Sequence, residues 1–344
     1  MNSWPGGTVF WYRNAQFIAY SLDTKPGYST GRYLAQANAA QDVATRCGVM
    51  EAAAREARLR ADTSSYCLKI FVAPEFFFRG HKGAYDLDTY QSALTGLRAW
   101  ASHADWKHWV FVFGTVMATF ENESGDTEIL NVAIVHRGGE GTDGTRAIAK
   151  ENLLEGDLLR LSQLTRDSPV GALTFEGSVG VKTAQQFLGA TNRGSGAELQ
   201  KWGFDGRSIF DMAGVRFGVE ICADHMGGRL QLSPTAKGDW YPQIQIVTGC
   251  GVMGIIPDNT VASKDGYIFL SDGFFEDNGG GRTSLSKVTA AKPSKDEPAT
   301  LEDVACTTTA AMDGKLPGGW NLCFASPGEV RLYPPQYIPW AKKA

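Results

Sequence analysis

The sequence predicts an α/β layered domain. In the first half of the chain, strand-like runs rich in β-branched and aromatic residues alternate with two segments whose apolar residues recur at helical spacing. In the second half, strand-like runs follow one another through short connections. These predicted strands would form a sheet larger than two helices could cover, so we expect the elements to be arranged in layers. No stretch rich in Pro, Gly or Ser divides the chain, and we expect residues 1–344 to form one domain.

Four elements are predicted in the first third of the chain. The run "GTVFWYRNAQFIAYSL" is typical of a first strand. A helix is expected over residues 34–59, where one face is apolar: Val43, Cys47, Met50, Ala54 and Ala57. The stretch "CLKIFVAPEFFFRG" indicates a buried strand that runs into Pro74 and Glu75. A second helix follows with its apolar face at the same spacing: Leu87, Tyr90, Leu94, Leu97 and Ala101.

The remaining elements are predicted to be mostly strands. They are "HWVFVFGTVMATF", "EILNVAIVHRGG", the pair in "GRSIFDMAGVRFGVEICADH", then "IQIVTGCGVMG", "GYIFLSDGF", "TSLSKVTA" and "ASPGEVRLY". Residues 157–202 have the least periodicity, and we interpret them as an insertion that carries surface loops.

Composition narrows the class of protein. Of 344 residues, 43% are hydrophobic and 20% charged, with a net charge of −4 and no strongly basic run, which argues against a nucleic-acid partner. No apolar run approaches the roughly 20 residues that a membrane span needs. The N-terminus lacks the pattern of a signal peptide, so a cytoplasmic protein is expected. None of the six cysteines forms a CxxC pair, which disfavours both a zinc site and disulfides.

Three titratable residues each follow a predicted strand or turn: Glu75, Lys150 and Cys222. Strand ends in layered α/β domains are where catalytic groups collect, because the sheet holds them and loops admit substrate. The three types also fit one chemistry. A thiol needs a base to become the nucleophilic thiolate. A carboxylate among Phe76, Phe77 and Phe78 would be desolvated and so a stronger base, and an ammonium could stabilise an oxyanion.

Each residue also has an ordinary structural interpretation. A lone strand cysteine is usually a packing residue, a glutamate can favour a helix start, and most lysines lie on surfaces. His225 is three residues after Cys222, but residues just past a strand rarely hold the geometry of a Cys–His dyad. A metal site of Cys222, His225 and His81 lacks a fourth ligand at usable spacing.

The order of the motifs resembles the nitrilase superfamily of carbon–nitrogen hydrolases. This chain has "APEFFFRG", then "VFGT" and "NVAIV" leading to "AIAK", then "GVEICAD". The resemblance implies a four-layer αββα sandwich, with Glu75 as general base, Lys150 as oxyanion stabiliser and Cys222 as nucleophile. It also implies the Ala223 backbone N–H as second oxyanion donor, a second acidic residue at Glu155 or Asp157, and no metal or organic cofactor.

The substrate implied by the resemblance is a small amide or nitrile, with an amide favoured. The alternatives are an N-acyltransferase of the same superfamily and an inactive descendant that serves in binding or assembly.

The pocket would be lined by Phe76, Arg79, His225, Thr248 and Cys250. Ile148 and Ala149 before the lysine, and Gly227 and Gly228 after the cysteine, depart from the family pattern and leave the substrate open. Arg79, His81 or Arg229 could bind a carboxylate. A homodimer or larger homo-oligomer is expected by resemblance.

Overall fold

Strands make up most of the regular structure in the computed structural model of the chain. It describes residues 12–25, 33–121, 127–141, 144–150, 208–232, 241–252, 254–275, 281–291 and 297–339. These residues form two sheets with few helices, which confirms the predicted mixed α/β class. The predicted insertion at 157–202, and with it Glu155 and Asp157, lies outside the described residues.

The elements follow the chain in this order. The helices are α1 (Ala39–Arg58), α2 (Leu87–Ala101), α3 (Ala223–Met226) and α4 (Trp320–Cys323). The strands of the first half are β1 (Asn14–Ser21), β2 (Cys67–Val72), β3 (Tyr85–Asp86), β4 (Trp109–Glu121), β5 (Thr127–Arg137) and β6 (Thr145–Ala149). The later strands are β7 (Ile209–Met212), β8 (Val215–Ile221), β9 (Ile244–Gly249), β10 (Tyr267–Phe275), β11 (Gly281–Ala290), β12 (Thr300–Val304), β13 (Thr308–Ala311), β14 (Glu329–Leu332) and β15 (Gln336–Tyr337).

The first sheet has the strand order β13-β14-β1-β2-β4-β5-β6, and β15 and β3 pair with β1 and β4. Strands β1, β2 and β4 are parallel to one another, whereas β5 and β6 continue as antiparallel neighbours. Strand β14 lies within the predicted segment "ASPGEVRLY" and pairs antiparallel with β1. The second sheet has the order β12-β11-β10-β9-β8-β7, with a parallel core of β8, β9 and β10.

Alternation along the strands assigns each face of the first sheet to a different core. In β1, Ala15, Phe17 and Ala19 join the core between the sheets, whereas Ile18 and Tyr20 join the core under the helices. The inner faces of the two sheets meet through aromatic rings, with the Phe17 ring centre 5.3 Å from that of Phe269. This period of two explains why these strands are apolar throughout, since both faces are covered.

The outer faces of the two sheets are covered differently. On the first sheet, α1 and α2 provide the helical layer. On the second sheet, Gly218 of β8 faces away from the inter-sheet core, and a Cβ there would meet Leu230 and Pro242. In the described part of the chain, this layer consists of short helical segments: α3 and the 3₁₀ turns Arg229–Leu232 and Pro257–Asn259. No helix within the described ranges has the length and apolarity to cross a bilayer.

Helix α1 begins at Ala39, five residues after the predicted start. The side chain of Asn38 accepts a hydrogen bond from the Gln41 N–H and so caps the helix. One turn further on, Asp42 and Arg46 form a buried ion pair at 2.8 Å. Arg46 also donates 2.7 Å hydrogen bonds to the carbonyl oxygens of Phe77 and Leu34. The pair therefore ties α1 to the segment that follows β2.

We expect Asp42→Ala to destabilise the protein far more than Glu51→Ala. Both residues pair with an arginine four positions later on α1, but the Glu51–Arg55 pair is partly exposed. Removing one partner of a buried pair costs about 3–5 kcal/mol, whereas an exposed helix pair contributes about 0.3–0.5 kcal/mol. Urea unfolding of both variants measures the difference, and equal losses would contradict the assigned role of the buried pair.

Candidate active site

Glu75 lies two residues beyond Ala73, where the chain leaves β2, and its side chain is fully buried. Its backbone is held from both sheets. The Glu75 N–H donates to the Gly249 carbonyl oxygen at 3.3 Å, and the Thr24 hydroxyl donates to the Glu75 carbonyl oxygen at 2.6 Å. The side chain thus leaves from a backbone position that neighbouring elements fix.

Lys150 forms an ion pair with Glu75, and the distance from its Nζ to Oε1 of Glu75 is 2.9 Å. Both side chains have zero exposure. Asn131 of β5 donates to the same carboxylate oxygen at 2.7 Å, and its carbonyl oxygen accepts the Lys150 N–H at 2.8 Å. The end of β6 therefore places the Lys150 ammonium, and the middle of β5 the Asn131 amide, beside the Glu75 carboxylate.

Cys222 lies at a sharp turn between β8 and α3. It has φ 49° and ψ −108°, a conformation that is costly for a residue with a side chain. The Cys222 N–H donates to the Thr248 carbonyl oxygen at 2.9 Å, and its own carbonyl accepts the His225 N–H at 2.9 Å. The next residue, Ala223, begins the helix. A turn of this kind presents the side chain at the end of the strand. Backbone hydrogen bonds on both sides of Cys222 hold it in this conformation.

The two sheets bring the ends of three strands together. Strands β8 and β9 are parallel, with Ile221 opposite Thr248. The Thr248 hydroxyl crosses to the other sheet and donates to the Ala73 carbonyl oxygen at 3.0 Å. Thr248 thus connects the backbone of Cys222 to the residue two positions before Glu75. The sequence-predicted residues Glu75, Lys150, Cys222 and Thr248 accordingly belong to one region of the structure.

Gly114 allows the segment from Pro74 to Phe78 to lie against β4. It has φ +70°, and a Cβ would overlap the Pro74 carbonyl oxygen. The pairing of β4 with β5 is irregular at this point, between Val112 and Thr115. The Thr115 hydroxyl then accepts the Phe76 N–H at 2.8 Å. A glycine is thus required for the close approach that fixes Glu75 and Phe76.

Phe76 is the aromatic residue that faces the site. It has φ 61°, and its ring centre lies 3.6 Å from the guanidinium carbon of Arg79 and 5.8 Å from Nζ of Lys150. Phe77 and Phe78 instead pack in the core under the helices, where the Phe77 ring lies 4.9 Å from that of Phe324. Phe77 and Phe78 share that core, with ring centres 5.1 Å apart, so the expectation that all three rings enclose Glu75 is corrected.

His225 has its two ring nitrogens engaged away from Cys222. Nδ1 lies 2.8 Å from Oε2 of Glu220, and Nε2 accepts the Ile256 N–H at 3.1 Å, which makes the neutral Nδ1–H form the one that fits. Glu220 also accepts the Leu230 N–H at 2.9 Å and an amide N–H of Gln245 at 2.8 Å. The structure gives no support to a Cys222–His225 dyad or to His225 as a pocket residue, since this network buries the ring behind the turn.

Cys250 follows β9 and lies near the carboxylate of Glu75. Burial, with smaller contributions from the negative charges of Glu75 and Asp272, raises the pKa of its thiol well above the usual value, against the effects of Arg79 and a hydrogen bond with Thr24. Asp272 accepts the N–H groups of Gly251 and Val252 and thereby holds this loop. The raised pKa disfavours the thiolate form of Cys250.

The sequence did not single out Asn131 and Thr24. Asn131 is a fully buried amide in an otherwise apolar strand, and such a residue is rarely buried without a partner. The single asparagine in the otherwise apolar run "NVAIV" could therefore have identified Asn131 as a residue with a buried partner. Thr24 follows β1 in a polar stretch with no comparable pattern. Among the described residues, no group of three or more His, Cys, Asp or Glu side chains could hold a metal ion.

No family model and no curated protein sequence matches this chain. Several solved structures are similar to it. A variant of an amidase from Nesterenkonia, described as from the nitrilase superfamily, is 11% identical with a TM-score of 0.42, over 87% of this chain and 90% of that chain. Another variant of that amidase, with acrylamide added to its active-site cysteine, is 11% identical with a TM-score of 0.43, over 85% and 93%. Glutamine-dependent NAD+ synthetase from Acinetobacter baumannii, in complex with ADP, is 13% identical with a TM-score of 0.35, over 85% of this chain and 46% of that chain.

We expect Gly114→Ala to destabilise the protein and disturb the site. The left-handed backbone alone costs a non-glycine residue about 1–3 kcal/mol, and the added methyl group must displace the carbonyl of Pro74. Gly141→Ala is the matched control, because a Cβ there has no atom within 4 Å. Thermal unfolding should show a clear loss for Gly114→Ala and a change within about 0.5 kcal/mol for Gly141→Ala. Equal melting temperatures would show that the close approach is not needed.

Proposed function

We propose that this chain is a divergent member of the nitrilase superfamily that hydrolyses an amide through a thioester on Cys222. The observation that carries the proposal is the fully buried ion pair of Glu75 and Lys150, with Cys222 in a strained turn on the adjoining strand end. Buried opposite charges are expensive to maintain, and strained residues cluster at active sites. The motif order "PEFFFRG", "AIAK" and "GVEICAD" supports the same assignment.

In the first half-reaction, Glu75 acts as the general base. The Cys222 thiol gives its proton to the carboxylate, and the thiolate attacks the amide carbon to form a carbon–sulfur bond. The Lys150 ammonium and the Ala223 N–H stabilise the oxyanion that develops on the carbonyl oxygen. When the carbon–nitrogen bond breaks, Glu75 returns the proton to the departing amine, and the acyl group stays on sulfur.

In the second half-reaction, the same carboxylate acts on water. Glu75 takes a proton from a water molecule as its oxygen attacks the thioester carbon. The tetrahedral oxyanion is again stabilised by Lys150 and Ala223. The carbon–sulfur bond then breaks, Glu75 returns the proton to the Cys222 thiolate, and the carboxylic acid leaves. Asn131 supports both steps, because its amide hydrogen bond keeps the Glu75 carboxylate in place.

Selective alkylation tests the assignment of Cys222. Burial raises the pKa of the Cys47 and Cys67 thiols to about 12 and that of Cys323 to about 11, so these should react slowly at neutral pH. Cys306 is exposed and would react as background, so the measurement is made in Cys306→Ser. We expect iodoacetamide to modify Cys222 first by peptide mapping, and this modification to slow at least about tenfold in Glu75→Gln because the base is lost.

The control for this experiment is the same protein unfolded in urea, in which all remaining cysteines should react at similar rates. If Cys222 is no faster than Cys67 in the folded protein, or if Glu75→Gln alkylates as fast as the parent, the proposed activation of the thiol is wrong.

Lys150→Met should remove most of the amidase activity. The loss of an oxyanion donor typically lowers kcat by about 10²–10³. Lys69→Met is the matched control, because Lys69 is also buried but donates to the carbonyl oxygens of Ser64 and Cys67 at the other end of β2. Steady-state release of ammonia from small amides should fall in Lys150→Met and persist in Lys69→Met. Comparable activity in the two variants would exclude the assigned role of Lys150.

A further inference from the structure

A network of buried polar side chains lies behind the turn that carries Cys222, on the face of β8 that is turned away from the first sheet. Glu220 belongs to this face, because its neighbours Val219 and Ile221 join the core between the sheets. Glu220 and His225 are both buried. The proposed reaction steps use neither side chain. A buried carboxylate and a buried imidazole thus lie directly behind the proposed nucleophile.

A backbone partner fixes the protonation state of the His225 ring. The Ile256 N–H can only donate, so Nε2 of the ring, at 3.1 Å, is the acceptor and carries no proton. Nδ1 then carries the ring proton and donates it to Oε2 of Glu220 at 2.8 Å. A charged ring would have an N–H at both nitrogens and would lose the bond to Ile256. The ring is therefore held as one neutral tautomer between two partners.

Glu220 is itself held by groups other than His225. Oε1 accepts the Leu230 N–H at 2.9 Å, and Oε2 accepts an amide N–H of Gln245 at 2.8 Å. The oxygen of Gln245 accepts the Val261 N–H at 2.8 Å, so a backbone donor sets the orientation of this amide. The carboxylate is thus fixed from two further elements, and the ring takes its position from the carboxylate.

Helix α3 depends on such anchors because it has only four residues. Helices shorter than about 12–15 residues are marginal by themselves, since the first turn is costly to form. Before the helix, the Cys222 N–H donates to the carbonyl oxygen of Thr248 at 2.9 Å. Towards its end, the His225 ring is held by Glu220, and the Asn259 amide donates to the His225 carbonyl oxygen at 2.7 Å. The N–H of Ala223 lies between these two anchored points.

His225 also connects this turn to the segment that follows β9. At the start of the segment, the Gly249 carbonyl oxygen accepts the Glu75 N–H at 3.3 Å. At its end, the Ile256 N–H donates to the His225 ring. One short segment therefore contacts both the backbone of the proposed base and the ring behind the proposed nucleophile.

We propose that His225 is a positioning residue of the amidase reaction, whose neutral ring, anchored by Glu220, keeps the Ala223 N–H directed at the developing oxyanion. This inference rests on the proposed function, in which that N–H is an oxyanion donor. His225 neither contacts the substrate nor transfers a proton. Its effect is confined to steps that form an oxyanion, because Cys222 keeps its own hydrogen bond to β9.

The test separates formation of an oxyanion from reactivity of the thiol. Amide hydrolysis forms an oxyanion, whereas iodoacetamide is displaced at a saturated carbon and forms none. In His225→Phe, which removes both ring bonds, we expect kcat for acetamide, propionamide or butyramide to fall by about 10- to 100-fold, as for a misplaced oxyanion donor. The rate of Cys222 alkylation should stay close to that of the parent protein.

Two conservative variants divide the effect between the partners of the ring. His225→Asn places an amide N–H near the position of Nδ1 and retains the bond to Glu220. His225→Gln places an amide oxygen near the position of Nε2 and retains an acceptor for Ile256. Both should recover part of kcat, and His225→Asn more, because Glu220 is the anchor. Met226→Gln is the matched control on the same helix, since Met226 is 42% exposed, and it should keep the kcat of the parent.

The alkylation map also reports folding. Cys67 is buried, so it reacts as fast as Cys222 in a urea-unfolded chain only where the variant is unfolded. If His225→Phe is unfolded by this measure, the same split between kcat and alkylation is expected in His225→Asn and His225→Gln relative to the parent.

The outcomes separate this inference from the proposed function. Unchanged kcat in the three His225 variants would overturn the inference and leave the amidase function standing. A fall in Cys222 alkylation in proportion to kcat, or unfolding of all three variants, would assign the network to stability alone and would also overturn it. If the parent protein hydrolyses no amide and Cys222 is not selectively alkylated, the proposed function fails together with the inference.

Discussion

A carboxylate and an ammonium are held together in the interior, and much of the described structure serves that constraint. Glu75 and Lys150 are 2.9 Å apart with no exposure to solvent, so each charge depends on the other and on Asn131. Taking two charges out of water costs several kcal/mol per ion unless close geometry and further hydrogen bonds compensate. The parallel strands β2 and β4 and the antiparallel pair β5 and β6 supply that geometry. Replacing such a pair with packed apolar residues is often neutral or stabilising, so the pair is not explained by a gain in stability.

The same region stores backbone strain, which neighbouring contacts offset. Phe76 and Cys222 both have positive φ values, at 61° and 49°. The Phe76 N–H is held by Thr115, the Cys222 N–H by Thr248, and Thr248 in turn reaches the chain that leads to Glu75. Rigid strand ends thus keep Phe76 and Cys222 in backbone conformations that a free chain would avoid. The Glu220–His225 network behind the turn belongs to this support, since it fixes the residues directly after Cys222.

The sequence predicted the parts of this arrangement that follow from local pattern. Continuous runs rich in β-branched and aromatic residues identified the long buried strands, and helical spacing identified α1 and α2. It did not reveal β6, β12, β13 or β15, which are short or polar and depend on partners distant in sequence. The motif order selected Glu75 and Lys150, which the structure joins in an ion pair. Asn131 and Thr24 were missed, because their partner Glu75 becomes a neighbour only when distant segments pack together.

The most direct test of the account is rapid-quench mass spectrometry of the protein with an amide substrate. We predict a transient adduct whose mass equals that of the acyl group less one hydrogen, located on the peptide that contains Cys222. The adduct should be absent in Cys222→Ala, which should also release no ammonia. Amide hydrolysis that continues in Cys222→Ala, or an adduct on any other cysteine, would contradict the assignment of Cys222 as the nucleophile.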